Sequence, residues 1–323
     1  MILIVGGAGY IGSHVNKLLN ENGFDTIVFD NLSTGHIESV KWGKFINGDL
    51  ANIDDIRNIF KSFKVTAIFH FAAYAYVGES VINPEKYYKN NVSNTLNLLQ
   101  VMREFKIRDF IFSSSCATYG SPIQIPMNEN HPENPINPYG RTKLIIDNIL
   151  HDYSNAYNFK YISLRYFNAA GNDPKIIIGE SHEPENHLIP LVIQAALDSS
   201  KKVKIFGDDY DTPDGTCVRD YIHVNDLAEA HLKAYNYLQN NNSISQIINL
   251  GTGEGNSVKE IITTVEKNTG LAVNIEISKR RSGDPSTLIA DTNKAQQILG
   301  WTPTLVLRDI ITHAVEWYRN PKY

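Results

Sequence analysis

The sequence predicts an α/β fold: a Rossmann-type, doubly wound parallel sheet with a smaller mixed α/β lobe after it. Three observations predict this. Short β-branched runs alternate with longer amphipathic segments through the first half, as they do where helices cover both faces of a parallel sheet. A glycine turn closes the first run and opens the first amphipathic segment. Beyond about Asn168 the rhythm breaks into stretches rich in Asn, Gly, Pro and His. The expected division is residues 1–168 and 169–323, with an approximate boundary and room for interleaving.

In chain order, Ile2–Val5 is wholly apolar and suits a strand buried on both faces. Gly12–Asn22 follows with Val15, Leu18 and Leu19 at helical spacing. Thr26–Asp30 and Lys44–Ile46 read as strands, and Asp54–Phe63 as a helix with Ile56, Ile59, Phe60 and Phe63 on one face. Ala67–Phe71 is a strand, Glu85–Phe105 a long helix, and Phe110–Ser113 a strand running into Ser114 and Ser115. Tyr139–Asn155 repeats the helical spacing, and Tyr161–Leu164 the strand pattern. Gly171–Asn186 and Gly207–Gly215 read as loops, followed by shorter helices at Val224–Tyr237 and Ser257–Lys267. Asn240-Asn241-Asn242 reads as a solvated loop.

The 323 residues are roughly two domains' worth. At 42% hydrophobic and 20% charged the chain can pack cores, which excludes a disordered chain. A formal charge of −5 argues against a nucleic-acid or anionic-membrane surface. Cys116 and Cys217 are too few for a disulfide framework or a Cys₄ zinc site, so a reduced, cytoplasmic setting is expected. Met1–Val5 runs straight into the glycine turn and leaves no room for a signal peptide. No apolar run nears the ~20 residues that span a bilayer.

Gly7-Ala8-Gly9-Tyr10-Ile11-Gly12 matches G-x-G-x-x-G, and Gly6 extends it. Chance would supply such a triplet about 0.1 times, so its place between a strand and a helix carries the weight. There, glycines let the backbone approach a pyrophosphate at a helix N-terminus. Asp30 closes the second strand, where an acid binds ribose hydroxyls and repels a 2′-phosphate; this favours NAD over NADP. A second cluster, Gly251-Thr252-Gly253-Glu254-Gly255, lacks the spacing and reads as a plain turn.

Tyr139-Gly140-Arg141-Thr142-Lys143 sets a phenol and an ammonium four residues apart, on one helix face. The pair suits proton transfer to an alcohol oxygen, provided the phenol falls about three pKa units, worth ~4 kcal/mol. Lys143, the helix N-terminus after Pro138 and a nicotinamide cation are the three sources of that charge stabilisation. Roughly one Tyr-x-x-x-Lys pair arises by chance, and Tyr318–Lys322 is a second; only the first follows a strand ending in Ser113-Ser114-Ser115. Ser115 is then placed to hydrogen-bond the reacting oxygen.

With these residues in place, the chain resembles the extended short-chain dehydrogenase/reductase family, and within it the UDP-glucose (UDP-galactose) 4-epimerase branch. The matching strings run nearly end to end: GGAGYIGSH, DNLSTG, HFAA with VGES, YYxNNVxxT, FIFSSSCATYG, NPYGRTK, RYFNAAG, HLIPLV, FGDDYDTPDGTCVRDYIHVNDLA, INLGTGEGNSV and RRSGDPSTLIAD. The resemblance implies reversible inversion at sugar carbon 4 with bound NAD, Tyr139 as base, Ser115 sharing the oxygen and Lys143 holding the nicotinamide ribose. It implies an NAD site of Gly6, Gly7, Gly9, Tyr10, Ile11, Gly12, Asp30, Asn31, Asp49, Leu50, Phe71, Ala72, Ala73, Asn90, Ser113, Tyr139, Lys143 and Tyr166. It implies a UDP-sugar site of Ser115, Tyr139, Asn168, His187, Leu188, Phe206, Arg219, Arg281, Asp284 and Leu288. It also implies that residues 1–168 bind NAD, that residues 169–323 bind the UDP-sugar, and that a homodimer forms through the helices Glu85–Phe105 and Tyr139–Asn155.

Two positions depart from the family pattern. Ala75 stands where many relatives carry a lysine near the cofactor phosphates, which bears on how tightly NAD is held. Leu288 stands where some carry a tyrosine beside the pocket for the carbon-2 substituent, which leaves room for N-acetylated sugars. No metal is expected. Asp209–Gly215 is out of step for a calcium loop, and Pro184 opposes a helix that would align His182 and His187 as zinc ligands. Cys116 reads as a packing residue. Rival readings are a sugar-nucleotide 4,6-dehydratase, many of which carry an acid where Cys116-Ala117-Thr118 stands, or a decarboxylase of the same fold, a 4-epimerase of another UDP-sugar, and a non-catalytic NAD sensor or scaffold.

Overall fold

Six parallel strands, Ile2–Val5 (β1), Thr26–Asp30 (β2), Lys44–Asn47 (β3), Ala67–His70 (β4), Asp109–Ser115 (β5) and Lys160–Tyr166 (β6), form one sheet with a seventh, Gln246–Leu250 (β7). The structure, a computed structural model, describes residues 1–240, 243–281 and 283–323, so Asn241 and Asn242 of the expected polar loop lie outside the described residues. The order β7-β6-β5-β4-β1-β2-β3 reverses beside β1, which leaves the carboxyl ends of β1 and β4 flanking a crevice. Alternation along β1 explains its unbroken apolarity: Ile2 and Ile4 enter one core, Leu3 and Val5 the other.

Helices cover both faces. Those that set the site are Tyr10–Glu21 (α1) and Pro138–Tyr157 (α2), with Leu188–Leu197 (α3) and Leu307–Arg319 (α4) in the second lobe. The expected helix Glu85–Phe105 is found from Pro84 to Glu104, but residues Tyr88–Ser93 are π-helical. Apolar spacing does not separate one wider turn from the α-helix around it.

β7 comes from beyond residue 168 and pairs with β6 from Gln246↔Ile162 to Leu250↔Tyr166, so the chain returns to the first sheet. In the second lobe Val203–Phe206 pairs with Ile275–Ser278, and Val218–Arg219 lies between Asn256–Ser257 and Thr287–Leu288. Its core is built from α3, α4 and the helix Val258–Thr269, which starts on a Ser257/Glu260 capping box. The second glycine cluster is a turn wrapped on Asp220, whose carboxylate accepts from Thr252 N–H at 2.7 Å and Gly253 N–H at 3.0 Å. Among the described residues no helix is long and apolar enough to cross a membrane.

Candidate active site

Parallel register carries Ser115 and Tyr166 side by side to the carboxyl edge of the sheet. Beyond Ser115 the chain makes one 3-10 turn, Cys116–Thr118, capped by Ser115 Oγ, which accepts from Ala117 N–H at 3.1 Å. α2 starts at Pro138, with the Asn137 side chain accepting from Gly140 N–H at 2.8 Å. A Cβ on Gly140 would stand 2.3 Å from the Ala117 carbonyl, so glycine alone lets this helix end close on the strand end. The closure brings the Tyr139 phenol close to the Ser115 side chain. One turn on, buried Lys143 donates from Nζ to the Ser113 carbonyl at 2.6 Å, with Nζ 5.8 Å from the centre of the Tyr139 ring.

Burial pushes the Tyr139 phenol up to about 12, against the lowering by the nearby Ser115 side chain. It pulls the Lys143 ammonium down to about 8, against the nearby Asp147 carboxylate. In the nucleotide-free protein burial thus opposes the three-unit fall expected of the phenol, which counts a nicotinamide cation among its three sources. Asp147 is itself spent: it accepts from Ser114 Oγ at 3.1 Å, Ser163 Oγ at 2.5 Å and Arg165 Nη2 at 2.8 Å. This buried network lies behind the serine strand, and its one sequence signal was polar Ser114, Ser163 and Arg165 inside apolar strands.

The glycine turn faces the same edge. A Cβ on Gly12 would stand 2.4 Å from the Gly6 carbonyl, whereas one on Gly9 would meet only that carbonyl, at 3.4 Å. The loop is therefore closed beneath and open in front. α1 has no side-chain cap and no acid in its first turn, so the first N–H groups of Tyr10, Ile11 and Gly12 point at this opening. Asp30 receives Ala8 N–H at 3.0 Å and Leu32 N–H at 2.8 Å, which locks its carboxylate beside the loop. Asn31 donates to Asp49 at 2.9 Å, and Leu50 is buried just beyond. Phe71 and Ala72 donate their N–H groups to the Val5 carbonyl, at 2.7 and 3.1 Å, and Ala73 follows them in the same loop. Ala75, further along that loop, is exposed. Tyr166 bonds His231 at 2.5 Å. An open backbone cradle with unpaired donors, next to an acid, fits the dinucleotide that the sequence points to.

Asn90 lies in the π-helical stretch and donates to Asn91 at 3.1 Å. Asn91, absent from the expected site, holds the loop after β4 in place: it accepts from Tyr74 N–H at 2.9 Å and donates to the Tyr74 carbonyl at 3.0 Å and to Thr142 of α2 at 3.1 Å.

The expected substrate residues gather in two places. Arg219 pairs with Asp284 at 2.5 Å and donates to the Pro285 carbonyl at 2.8 Å, and Arg281 lies 3.9 Å over the Phe206 ring. Leu288 is the register partner of Arg219 and packs with Cys116 on a small core around Tyr119, Met127 and Phe167. This joins the arginine patch to the residue after Ser115. Asn168 is drawn to the same strand pair by donating to the Asp220 carbonyl at 3.0 Å. His187 and Leu188 stand apart, at the start of α3. There Pro184 does exclude a helix, yet the loop itself brings His182 and His187 to 5.0 Å between ring centres.

The profile of the NAD dependent epimerase/dehydratase family matches residues 2–275. The chain belongs to this family. A UDP-glucose 4-epimerase of Halalkalibacterium halodurans is 49% identical over 320 residues, covering 99% of this chain and 96% of that protein. The crystal structure of UDP-glucose 4-epimerase from Brucella ovis in complex with NAD superposes with a TM-score of 0.96 at 47% identity, covering 98% of each chain. The UDP-Glc/GlcNAc 4-epimerase of Campylobacter jejuni superposes at 0.86 with 42% identity, again over 98% of each chain. The family fold, with its seven-stranded parallel sheet, is the one found here.

Proposed function

We propose that this chain interconverts UDP-galactose and UDP-glucose by transient oxidation at sugar carbon 4, as a cytoplasmic homodimer. The observation that carries the reading is the meeting of Ser115, Tyr139 and Lys143 with an open glycine cradle at one sheet edge. It is made in a chain nearly half identical to UDP-glucose 4-epimerases along almost its whole length. NAD, when bound, accepts the hydride from carbon 4 and returns it to the opposite face.

The chain's own residues do the rest. Tyr139, as phenolate, takes the proton of the 4-hydroxyl and gives it back after the sugar has turned. Ser115 hydrogen-bonds the same oxygen, and Lys143 holds the nicotinamide ribose while favouring the phenolate. The first-turn N–H groups of α1 hold the pyrophosphate and Asp30 the adenosine ribose. Asn31, Asp49, Leu50, Phe71, Ala72, Ala73, Asn90, Ser113 and Tyr166 complete the NAD site. A sugar that must present both faces cannot be gripped, so affinity belongs to the UDP part. Arg219, placed by Asp284, and Arg281 over Phe206 form one part of the diphosphate and nucleotide grip with Asn168, and His187 and Leu188 at the start of α3 form the other.

A dehydratase of the same family would need an acid beside Ser115. Burial pushes the Cys116 thiol up to about 12, so it stays protonated and is a weak acid. Leu288 leaves space at the carbon-2 substituent, and N-acetylhexosamine nucleotides are the second substrate class. Self-association runs through α2 and the helix Asn94–Glu104, where Leu96 is an exposed apolar residue; light scattering reads the dimer directly. The reaction is tested by proton NMR of UDP-galactose with purified protein and no added NAD. Anomeric signals of UDP-glucose establish epimerisation with retained cofactor; conversion only after NAD is added points to loose retention through Ala75. Silence in both cases refutes the assignment.

A further inference from the structure

Four side chains before α3, Glu180, His182, Glu185 and His187, each turn a polar atom to a common point, all within 4.8 Å of one another. His187 Nδ1 is 2.9 Å from Glu180 Oε1 and 3.1 Å from Glu185 Oε1. His182 Nδ1 is 3.4 and 3.6 Å from the same two carboxylates. The glutamates are 3% and 6% exposed, whereas His187 is 46% exposed. Two buried carboxylates need two positive charges close by.

The groups packed around them from other elements bring none. Tyr318 of α4 donates to Glu185 at 3.2 Å, and Tyr10 and Tyr76 set ring edges against His182. Lys17 of α1 is paired with Asp173 at 2.5 Å, and burial holds His14 neutral, down to about 4. The two imidazoles are left to supply both charges. A divalent cation would balance the carboxylates equally well with neutral rings. His187 Nδ1 hydrogen-bonds Glu185 Oε1 at 3.1 Å, however, and stands 2.9 Å from Glu180 Oε1, which accepts no hydrogen bond among the described residues; both separations are shorter than the ~3.3 Å between ligands around a zinc with ~2.0 Å bonds.

We infer that Glu180 and Glu185, with His182 between them and the protein surface, are positioning residues that keep His187 cationic and aim the free edge of its ring at the substrate diphosphate. His187 is the N-cap residue of α3, a ten-residue helix with no side-chain cap and no acid in its first turn. With Nδ1 engaged by Glu185, its Nε2–H is left free at the uncapped N-terminus of α3, a combination that suits an anion. Burial opposes the ring charges, but the carboxylates outweigh it and raise His187 to about 10 and His182 to about 9. Both rings therefore stay charged through neutral pH. The inference rests on the UDP-sugar reading above, and its test uses binding alone, so that each can fail without the other.

Nitrogen-15 spectra of the imidazoles and calorimetry with UDP-glucose, whose diphosphate does not titrate near neutrality, supply that test. In the wild type His187 is doubly protonated at pH 8, and affinity changes less than about twofold between pH 6 and 8.5. In Glu180→Gln/Glu185→Gln the ring returns to the ordinary histidine range, and affinity falls about tenfold over the same interval. His187→Asn binds more weakly at every pH, with no slope. A neutral His187 in the wild type at pH 8 overturns the inference even if the double variant does not fold. So does an equal pH slope in wild type and double variant. Stoichiometric zinc whose removal by a chelator weakens binding overturns it in favour of a metal site.

Discussion

Replacing Lys143 by methionine should stabilise the nucleotide-free protein while abolishing its activity. The ammonium is 3% exposed, donates to one carbonyl, and has as its nearest acid an Asp147 already engaged by Arg165, Ser114 and Ser163. A fall from the ordinary 10.5 to about 8 corresponds to ~3 kcal/mol of native-state cost. Losing the hydrogen bond to Ser113 gives back about 1 kcal/mol, so the net gain near neutrality is ~2 kcal/mol. The sign follows from proton binding. Between pH 8 and 10.5 the unfolded chain keeps the proton that the folded chain has released, so wild-type stability rises with pH in that window. The advantage of Lys143→Met is therefore full below pH 8 and gone by about 10.5. Urea unfolding at pH 7 and pH 10 measures it, alongside a kcat reduced by at least about 100-fold. A variant less stable than wild type at pH 7, or a difference equal at both pH values, would refute the reasoning.

Three further outcomes are expected. Tyr139→Phe should lower kcat about 1000-fold and leave bound NAD, read by absorbance, unchanged, because only the proton acceptor is lost. Gly12→Ala forces a methyl to 2.4 Å from the Gly6 carbonyl and should both expel NAD and cost about 1–3 kcal/mol in thermal unfolding. Leu288→Tyr should remove turnover of UDP-N-acetylglucosamine and keep that of UDP-galactose within about threefold; a wild type with no N-acetyl activity would sink the argument from Leu288.

What could be read from sequence was what is local. β1, the glycine turn and Asp30 are consecutive or closely spaced, and their periodicity and placement announce them. Tyr139 and Lys143 share one helix turn, and the serine-ended strand before them tells them from the pair at Tyr318. The arginine patch was different: Arg219 meets Leu288 through strand register and Asp284 by an ion pair, and Arg281 reaches Phe206 just past the paired strands Val203–Phe206 and Ile275–Ser278. Resemblance alone proposed them. Asn91 falls in the family-matching string YYxNNVxxT, but its tie to Tyr74 and Thr142 lies in chain neighbours that only the fold brings together. Pro184 correctly argued against a helix, yet a loop without regular structure brings the two imidazoles and two carboxylates together. How strongly burial opposes the Tyr139 fall was not legible either, because burial is invisible in a four-residue motif.

The central claim is hydride transfer at carbon 4, with Tyr139 moving only the proton. UDP-galactose deuterated at carbon 4, converted in ordinary water, tests it most directly. The account predicts that UDP-glucose keeps the deuterium at carbon 4, with none lost to solvent. Product carrying protium from water at that carbon would contradict it.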